Sequence, residues 1–93
     1  MTLAPRPAID TPFVAPRDAL EERVARLWEE VLRRAPLGAA DDFFDLGGES
    51  LQAFAILARV REAFGVTLTA RDLFTAGTIA GMADLIRERT PSP

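Results

Sequence analysis

Apolar residues recur every three or four positions in each regular stretch of this 93-residue chain, and no stretch shows the alternation of a β-strand. The clearest repeat predicts a first helix with Pro16 in its first turn, Asp18 near its start, and Arg33 and Arg34 at its end. Its apolar positions are Leu20, Val24, Leu27, Trp28, Val31 and Leu32. Such a repeat turns one side of a helix toward a core, so the pattern indicates an all-α fold.

A second helix, expected from about Ser50 to Phe64, carries two apolar stripes where a surface helix needs only one. Gly65 follows it and suits the left-handed conformation that commonly ends a helix. The stripe expected to face the core comprises Ala53, Ile56, Leu57, Val60 and Phe64. The opposite stripe comprises Leu51, Phe54, Ala55 and Ala58. Burying a helix on both sides is hard in so short a chain, so we interpret the opposite stripe as an exposed docking surface.

Two shorter helices are predicted in the last third of the chain. Thr69 can cap a helix from Ala70 to about Phe74, with Asp72 as the other half of a capping box. Thr78 can cap the last helix, whose expected buried face is Ile79, Met82, Ala83 and Ile86. The expected architecture is a small, mostly antiparallel four-helix bundle with a short third helix and a long first loop.

The chain divides into three parts by composition. Residues 1–15 contain three prolines, which cannot continue a helix, and are predicted to be an N-terminal linker. Residues 16–88 form the predicted domain, which is large enough for one small core. Residues 89–93 contain two prolines and form the predicted C-terminal tail.

The residue types that are missing exclude several functions. The chain has no Cys, no His and no Lys, which removes disulfides, thiolate or imidazole metal sites, Ser-His-Asp catalysis and Schiff bases. A net charge of −3 with no basic block argues against a nucleic-acid partner. No signal peptide opens the chain and no apolar run approaches the roughly 20 residues that a membrane helix needs, so a cytoplasmic protein without a membrane partner is expected.

Ser50 stands where two flexible residues, Gly47 and Gly48, meet the start of the second helix. Glycines have no side chains, so the hydroxyl can be approached from several sides. The free amides and the positive dipole of a helix that begins at Ser50 would face an anion bonded to its oxygen. The arrangement is therefore suited to a serine that carries a phosphate.

The run from Asp42 to Leu51 resembles the phosphopantetheine attachment motif of peptidyl carrier proteins, the thiolation domains of nonribosomal peptide synthetases. The resemblance extends from about residue 12 to residue 87, and residues 11–17 are similar to the linker that follows an adenylation domain. The residues that make up the attachment motif around Ser50 are Asp42, Phe43, Phe44, Leu46, Gly47, Gly48, Glu49 and Leu51, with Glu49 at the variable position of the motif. Two positions depart from the family pattern. Glu49 replaces the usual His or Asp, and Gly77 replaces a Pro before Thr78, which would loosen the start of the last helix.

The resemblance implies that Ser50 receives 4′-phosphopantetheine from coenzyme A through a separate Mg²⁺-dependent phosphopantetheinyl transferase. The terminal thiol of that arm then holds an aminoacyl or peptidyl group as a thioester. The implied partners are adenylation, condensation, thioesterase or tailoring enzymes, met by a monomeric domain that performs no catalysis and holds no metal. The residues implied to face these partners are Leu51, Phe54, Ala58 and Phe74.

Two other functions stay open at this stage. One is an acyl or aryl carrier for a polyketide, fatty or hydroxybenzoyl unit, and the other is a carrier-like interaction module that is never modified. Ser50 could also serve only as a helix N-cap, one of the commonest uses of serine. A hydrolase nucleophile elbow is rejected, because Gln52 replaces the closing glycine and the chain has no His.

The remaining acidic and aromatic residues have simpler interpretations. The spacing of Asp41, Asp42 and Asp45 does not fit a calcium loop, so we expect cap and surface charges. Core positions are expected for three aromatic residues: Trp28, Phe43 and Phe44. Phe54 is the only aromatic residue that we expect to be substantially exposed.

Overall fold

The computed structural model describes residues 3–90 and contains four helices. These are α1 (Ala19–Leu32), α2 (Ser50–Phe64), α3 (Ala70–Ala76) and α4 (Ile79–Arg89). α1 packs against α2 and α4, and the short α3 packs against the same two helices. Within residues 3–90 the only strand-like pairs are two isolated β-bridges. The predicted all-α four-helix bundle is confirmed.

Two ends of the chain lie outside this description. The first two residues of the predicted linker and residues 91–93 of the predicted tail, which include Ser92, are not among the described residues. The division into linker, domain and tail stays a prediction. No helix between residues 3 and 90 combines the length and apolar character needed to span a bilayer.

α1 begins later than the sequence predicts. Asp18 is its N-cap, and the Asp18 Oδ1 atom accepts a 2.8 Å hydrogen bond from the amide of Glu21. The prediction that Pro16 lies in the first turn was therefore wrong, because the helix starts at Ala19. At the other end Arg33 adopts a left-handed conformation with φ of 61° and donates its amide to the carbonyl of Glu29.

The other helices follow their predicted caps. α2 ends at Phe64 and is capped by Gly65, whose φ of 69° is the expected left-handed conformation. The capping box of α3 is formed by bonds in both directions between Thr69 and Asp72, of 2.8 and 3.1 Å. α3 continues to Ala76, two residues beyond its predicted end, and closes at Gly77 with φ of 71°. Proline cannot adopt a positive φ, so the proline that the resemblance leads us to expect at this position could not take the conformation in which Gly77 ends α3.

The core is built around Trp28. Its ring meets that of Phe43 edge-on, with centroids 5.8 Å apart, and its Nε1–H points to the sulfur of Met82 at 3.3 Å. The predicted buried residues of α4 are all confirmed. Those of α1 are confirmed at Val24, Leu27, Trp28 and Leu32, while Leu20 and Val31 are partly buried.

Only part of the apolar stripe of α2 that was predicted to face the core is buried. Ala53, Ile56 and Val60 are buried, but Leu57 and Phe64 are only partly buried at the edge of the core. The expectation that Phe64 belongs to the core was therefore too strong. Its ring lies instead under the guanidinium of Arg23, which is 4.3 Å from the ring centroid.

Candidate functional site

The loop between α1 and α2 closes with a turn that is organised by Asp42. Its carboxylate accepts hydrogen bonds from the amides of Phe44 and Asp45, at 2.8 and 3.2 Å. The amide of Phe43 donates to the carbonyl of Gly77 at 2.8 Å and ties the turn to the start of α4. Asp42 thus caps the turn, as the sequence predicts for this carboxylate.

The two adjacent phenylalanines of the turn point in opposite directions. Phe43 is completely buried, whereas Phe44 is 54% exposed and lies against the ring of Phe74, with centroids 5.3 Å apart. The prediction of a core position for Phe44 was wrong. Phe54, at 61% exposed, is also not the only open aromatic residue, since Phe13 and Phe74 are exposed as well.

The two glycines before Ser50 are needed for different reasons. Gly47 has a φ of 86°, a backbone conformation that side chains disfavour. Gly48 lies flat against Phe43, because a Cβ atom at this position would come within 2.4 to 2.6 Å of three atoms of that ring. Leu46 is buried and holds the end of the turn in the core. The loop therefore leads the chain to the start of α2 along a fixed path.

We expect Gly48→Ala to destabilise the fold by about 1–3 kcal/mol, the usual cost of forcing extra atoms into a packed site. The displaced Phe43 ring would also change the surroundings of Trp28, the only tryptophan of the chain. Urea denaturation and tryptophan emission measure both effects.

Gly47→Ala is the matched control for that change. It is strained by the positive φ but meets no atom within 4 Å, so it should alter stability without shifting tryptophan emission. If Gly48→Ala left both stability and emission unchanged, the packing of Phe43 on this glycine would be contradicted.

Ser50 is the first residue of α2, and its side chain is exposed. Its hydroxyl has no hydrogen-bond partner within the part of the chain that the structure describes. The N-cap is Glu49, whose amide donates to Gln52 Oε1 at 2.9 Å. The hypothesis that Ser50 is a simple N-cap is therefore wrong, and its hydroxyl remains available for chemistry.

The second apolar stripe of α2 is open to solvent. Leu51 is 84% exposed, Ala58 is also exposed, and Phe54 lies between them on the next turns of the helix. Ala55 is only partly covered. The expected exposure of the stripe is confirmed, although its use by partners is a separate question.

Asp41 departs from its predicted role as a cap or surface charge. It is completely buried and bonded by the Arg6 guanidinium at 2.6 and 2.8 Å and by the Gly38 amide at 2.8 Å. Burial raises the pKa of the Asp41 carboxyl, but the hydrogen bonds and the charge of Arg6 outweigh it and hold the pKa below its usual value. Between residues 3 and 90, no cluster of acidic side chains could hold a metal ion.

Comparison with known families decides how this site is classified. A family model described as "Phosphopantetheine attachment site" matches residues 22–86, well over half of the chain. This chain belongs to that family. Family membership agrees with the resemblance of the run from Asp42 to Leu51.

The family relatives are parts of much larger proteins. One of the plipastatin synthase subunits of Bacillus subtilis (strain 168) is 43% identical over 81 residues, which are 87% of this chain and 3% of that protein. Phosphinothricin tripeptide synthetase PhsC of Streptomyces viridochromogenes is 53% identical over 66 residues, which are 71% of this chain and 6% of that protein. The chain therefore spans only a small fraction of these relatives.

A solved structure extends the family match to the fold. One chain in the complex of the phosphopantetheine transferase Sfp with coenzyme A and a peptidyl carrier protein matches this chain with a TM-score of 0.81 and 38% identity. The match covers 83% of this chain and 100% of the other. The four-helix arrangement is therefore that of a known family member.

The residues around Ser50 fit the group for which the family is described. A phosphate would be attached to an exposed hydroxyl that has no hydrogen-bond partner among residues 3–90, so its attachment would break no existing hydrogen bond. Gly47 and Gly48 add no side chains on the loop side of that hydroxyl. The amides of Ser50 and Leu51, at the start of α2, would face the added negative charge.

Proposed function

We propose that this chain is a peptidyl carrier, the thiolation domain of a nonribosomal peptide synthetase, with phosphopantetheine attached to Ser50. The observation that carries the proposal is the exposed Ser50 hydroxyl, which has no hydrogen-bond partner in the described chain, at the first residue of α2 in a member of the attachment-site family. The name of one relative, phosphinothricin tripeptide synthetase, supports a peptide over a polyketide or fatty-acid product.

The chemistry at Ser50 is a phosphoryl transfer. The Ser50 oxygen bonds to the phosphorus that carries the pantetheine arm of coenzyme A, the bond from that phosphorus to the bridging oxygen breaks, and adenosine 3′,5′-bisphosphate leaves. The hydroxyl proton passes to a general base, which we assign to the transferase. When attached, the arm supplies a terminal thiol that can hold an acyl group as a thioester.

The residues of the chain present and orient this site without reacting further. Phe43 and Leu46 anchor the loop in the core, and the caps at Asp42 and Glu49 fix the ends of the turn and of α2. A domain that only presents an arm needs no catalytic group, so the proposal includes a non-catalytic role. A cytoplasmic location is part of the same proposal.

A direct experiment tests the proposal. The purified chain is incubated with coenzyme A, Mg²⁺ and a phosphopantetheinyl transferase of broad specificity, and its intact mass is measured. We expect a gain of one phosphopantetheine, followed by loading when an adenylation enzyme, its amino acid and ATP are added. No gain of mass would indicate the unmodified interaction module, while loading by aryl or fatty acids alone would overturn the peptidyl assignment.

Partner docking on α2 is the next part of the proposal. Phe54→Ala should slow aminoacyl loading or downstream transfer by at least about tenfold, because an aromatic hot spot at an interface contributes about 2 kcal/mol or more and about 1.4 kcal/mol already corresponds to tenfold. The ring is 61% exposed, so the thermal midpoint should hardly move. Leu51, Ala58 and Phe74 are proposed to belong to the same docking surface.

The control for Phe54→Ala is Glu62→Ala, which removes another exposed side chain of α2, from the groove that faces α1. That variant should load at the rate of the unaltered chain. A lower midpoint for Phe54→Ala, with normal loading per folded molecule, would show that the ring stabilises the fold and does not meet partners.

A further inference from the structure

Residues 3–17, which we call the N-terminal strap, are bound to the domain along their length. The amide of Ala4 donates to the carbonyl of Arg33, and the amide of Ala35 donates to the carbonyl of Ala4, both at 2.9 Å. Further along, the carbonyl of Val14 accepts a 2.7 Å bond from the amide of Ala39. The strap thus joins the end of α1 to the loop that leads to Ser50.

The strap also neutralises the buried charges of the domain. Within residues 3–90 the buried charged side chains are Glu21 and Asp41, and each is bonded by an arginine of the strap. Arg17 binds Glu21 through its backbone amide and guanidinium, at 2.7 to 3.1 Å. Arg6 binds both carboxylate oxygens of Asp41 and also donates to the carbonyl of Thr11 at 2.6 Å. A buried carboxylate left without its partner is strongly unfavourable, so these contacts hold the strap in place.

Asp41 of the Arg6–Asp41 pair lies in the loop between α1 and α2, nine residues before Ser50. Asp41 holds the Gly38 amide, and two residues further along Phe43 bonds to the carbonyl of Gly77. The Phe43 ring covers Gly48, and Ser50 begins α2 two residues later. A change in the position of Asp41 would therefore pass through Phe43 to the glycine beside the attachment site.

We propose that Arg6 is a positioning residue for modification of Ser50, because its two-point contact with buried Asp41 holds the loop in the conformation that a transferase recognises. The strap is then part of the carrier and not a passive linker. The idea rests on the proposed function, since its main readout is the attachment of phosphopantetheine.

The test compares Arg6→Gln with the unaltered chain in the modification assay, at a temperature where circular dichroism shows both folded. We expect KM for the chain to rise about tenfold with little change in kcat, because a loop that is competent only a fraction of the time lowers apparent affinity by that fraction. Amide hydrogen exchange should become faster at Gly38, Phe43 and Gly48. Arg6→Lys should fall between the two, since an ammonium cannot make the same planar two-point contact.

Arg34→Gln is the matched control. It removes a 3.0 Å contact of the strap, from Arg34 to the carbonyl of Pro5, but leaves Asp41 paired. Its KM and exchange rates should equal those of the unaltered chain. A folded Arg6→Gln chain with unchanged KM and unchanged exchange in the loop would overturn the proposal.

Two further outcomes are separable. If Arg6→Gln does not fold, the double variant Arg6→Gln/Asp41→Asn removes the unpaired charge. A folded double variant with raised KM supports the positioning role, and one with normal KM overturns it.

If the unaltered chain gains no phosphopantetheine, the proposed function fails. Exchange at Phe43 and Gly48 in Arg6→Gln then decides by itself whether the strap controls the loop.

Discussion

Ser50→Ala should abolish the gain of phosphopantetheine completely. The chain has only one other serine, Ser92, which lies in the Pro-rich tail outside the described residues. Transfer requires an oxygen that can reach the phosphorus of coenzyme A, and alanine supplies none. Intact mass after incubation with coenzyme A and the transferase should equal the mass of the starting variant.

The same variant should fold as well as the unaltered chain. Because Glu49 is the N-cap and the Ser50 hydroxyl is unpartnered in the described chain, the change should stay within about 0.5 kcal/mol, as exposed substitutions usually do. The sequence alone suggests a larger loss, since it allows Ser50 to be the cap. Ser92→Ala should be modified at the normal rate. A Ser50→Ala chain that still gains the full mass would place the attachment elsewhere and remove the central claim.

Helix ends were predictable wherever a single cap had no competitor. Gly65, Thr69 and Thr78 each stand alone between an apolar repeat and a loop, and each one ends or begins a helix as predicted. At α1 two signals compete, because proline favours a first turn and aspartate favours an N-cap. The Asp18 bond to the Glu21 amide determines the start, and that bond cannot be read from the repeat.

The directions of side chains in the loop were less predictable. Phe43 and Phe44 are neighbours in a tight turn, so their side chains leave the backbone in different directions and only one enters the core. The two phenylalanines are consecutive in the sequence, which indicates that only one ring can enter the core but does not identify that ring. The hydrogen bond from the Phe43 amide to Gly77, formed across more than thirty residues, makes that choice.

Nothing in the sequence indicates that Arg6 and Asp41 form an ion pair. The two residues are 35 positions apart, and Asp41 stands beside two other acidic residues in a loop that suggests a solvent-exposed cluster. Arg6 lies between prolines in a segment whose composition predicts a linker. Only tertiary packing reveals that this segment supplies the charge that a buried carboxylate requires.

Trp28→Ala should destabilise the fold by about 3–5 kcal/mol, the range for truncating a buried aromatic side chain. The indole is nearly inaccessible and contacts both Phe43 of the loop and Met82 of α4. Because small domains have total stabilities of only about 5–15 kcal/mol, this loss removes a large part of the stability of the fold. Chemical denaturation followed by far-ultraviolet circular dichroism measures it.

Phe64→Ala provides the comparison for Trp28. The two aromatic residues look equivalent in the apolar repeats, but Phe64 lies at the edge of the core under Arg23 and is only partly buried. Its removal leaves a site that water can fill, so its cost should be less than half that of Trp28→Ala. Trp28→Ala should also slow modification of Ser50 in the molecules that remain folded, because Phe43 then loses the ring that fixes its position over Gly48. Equal denaturation midpoints for Trp28→Ala and the unaltered chain would contradict this core and its support of the loop.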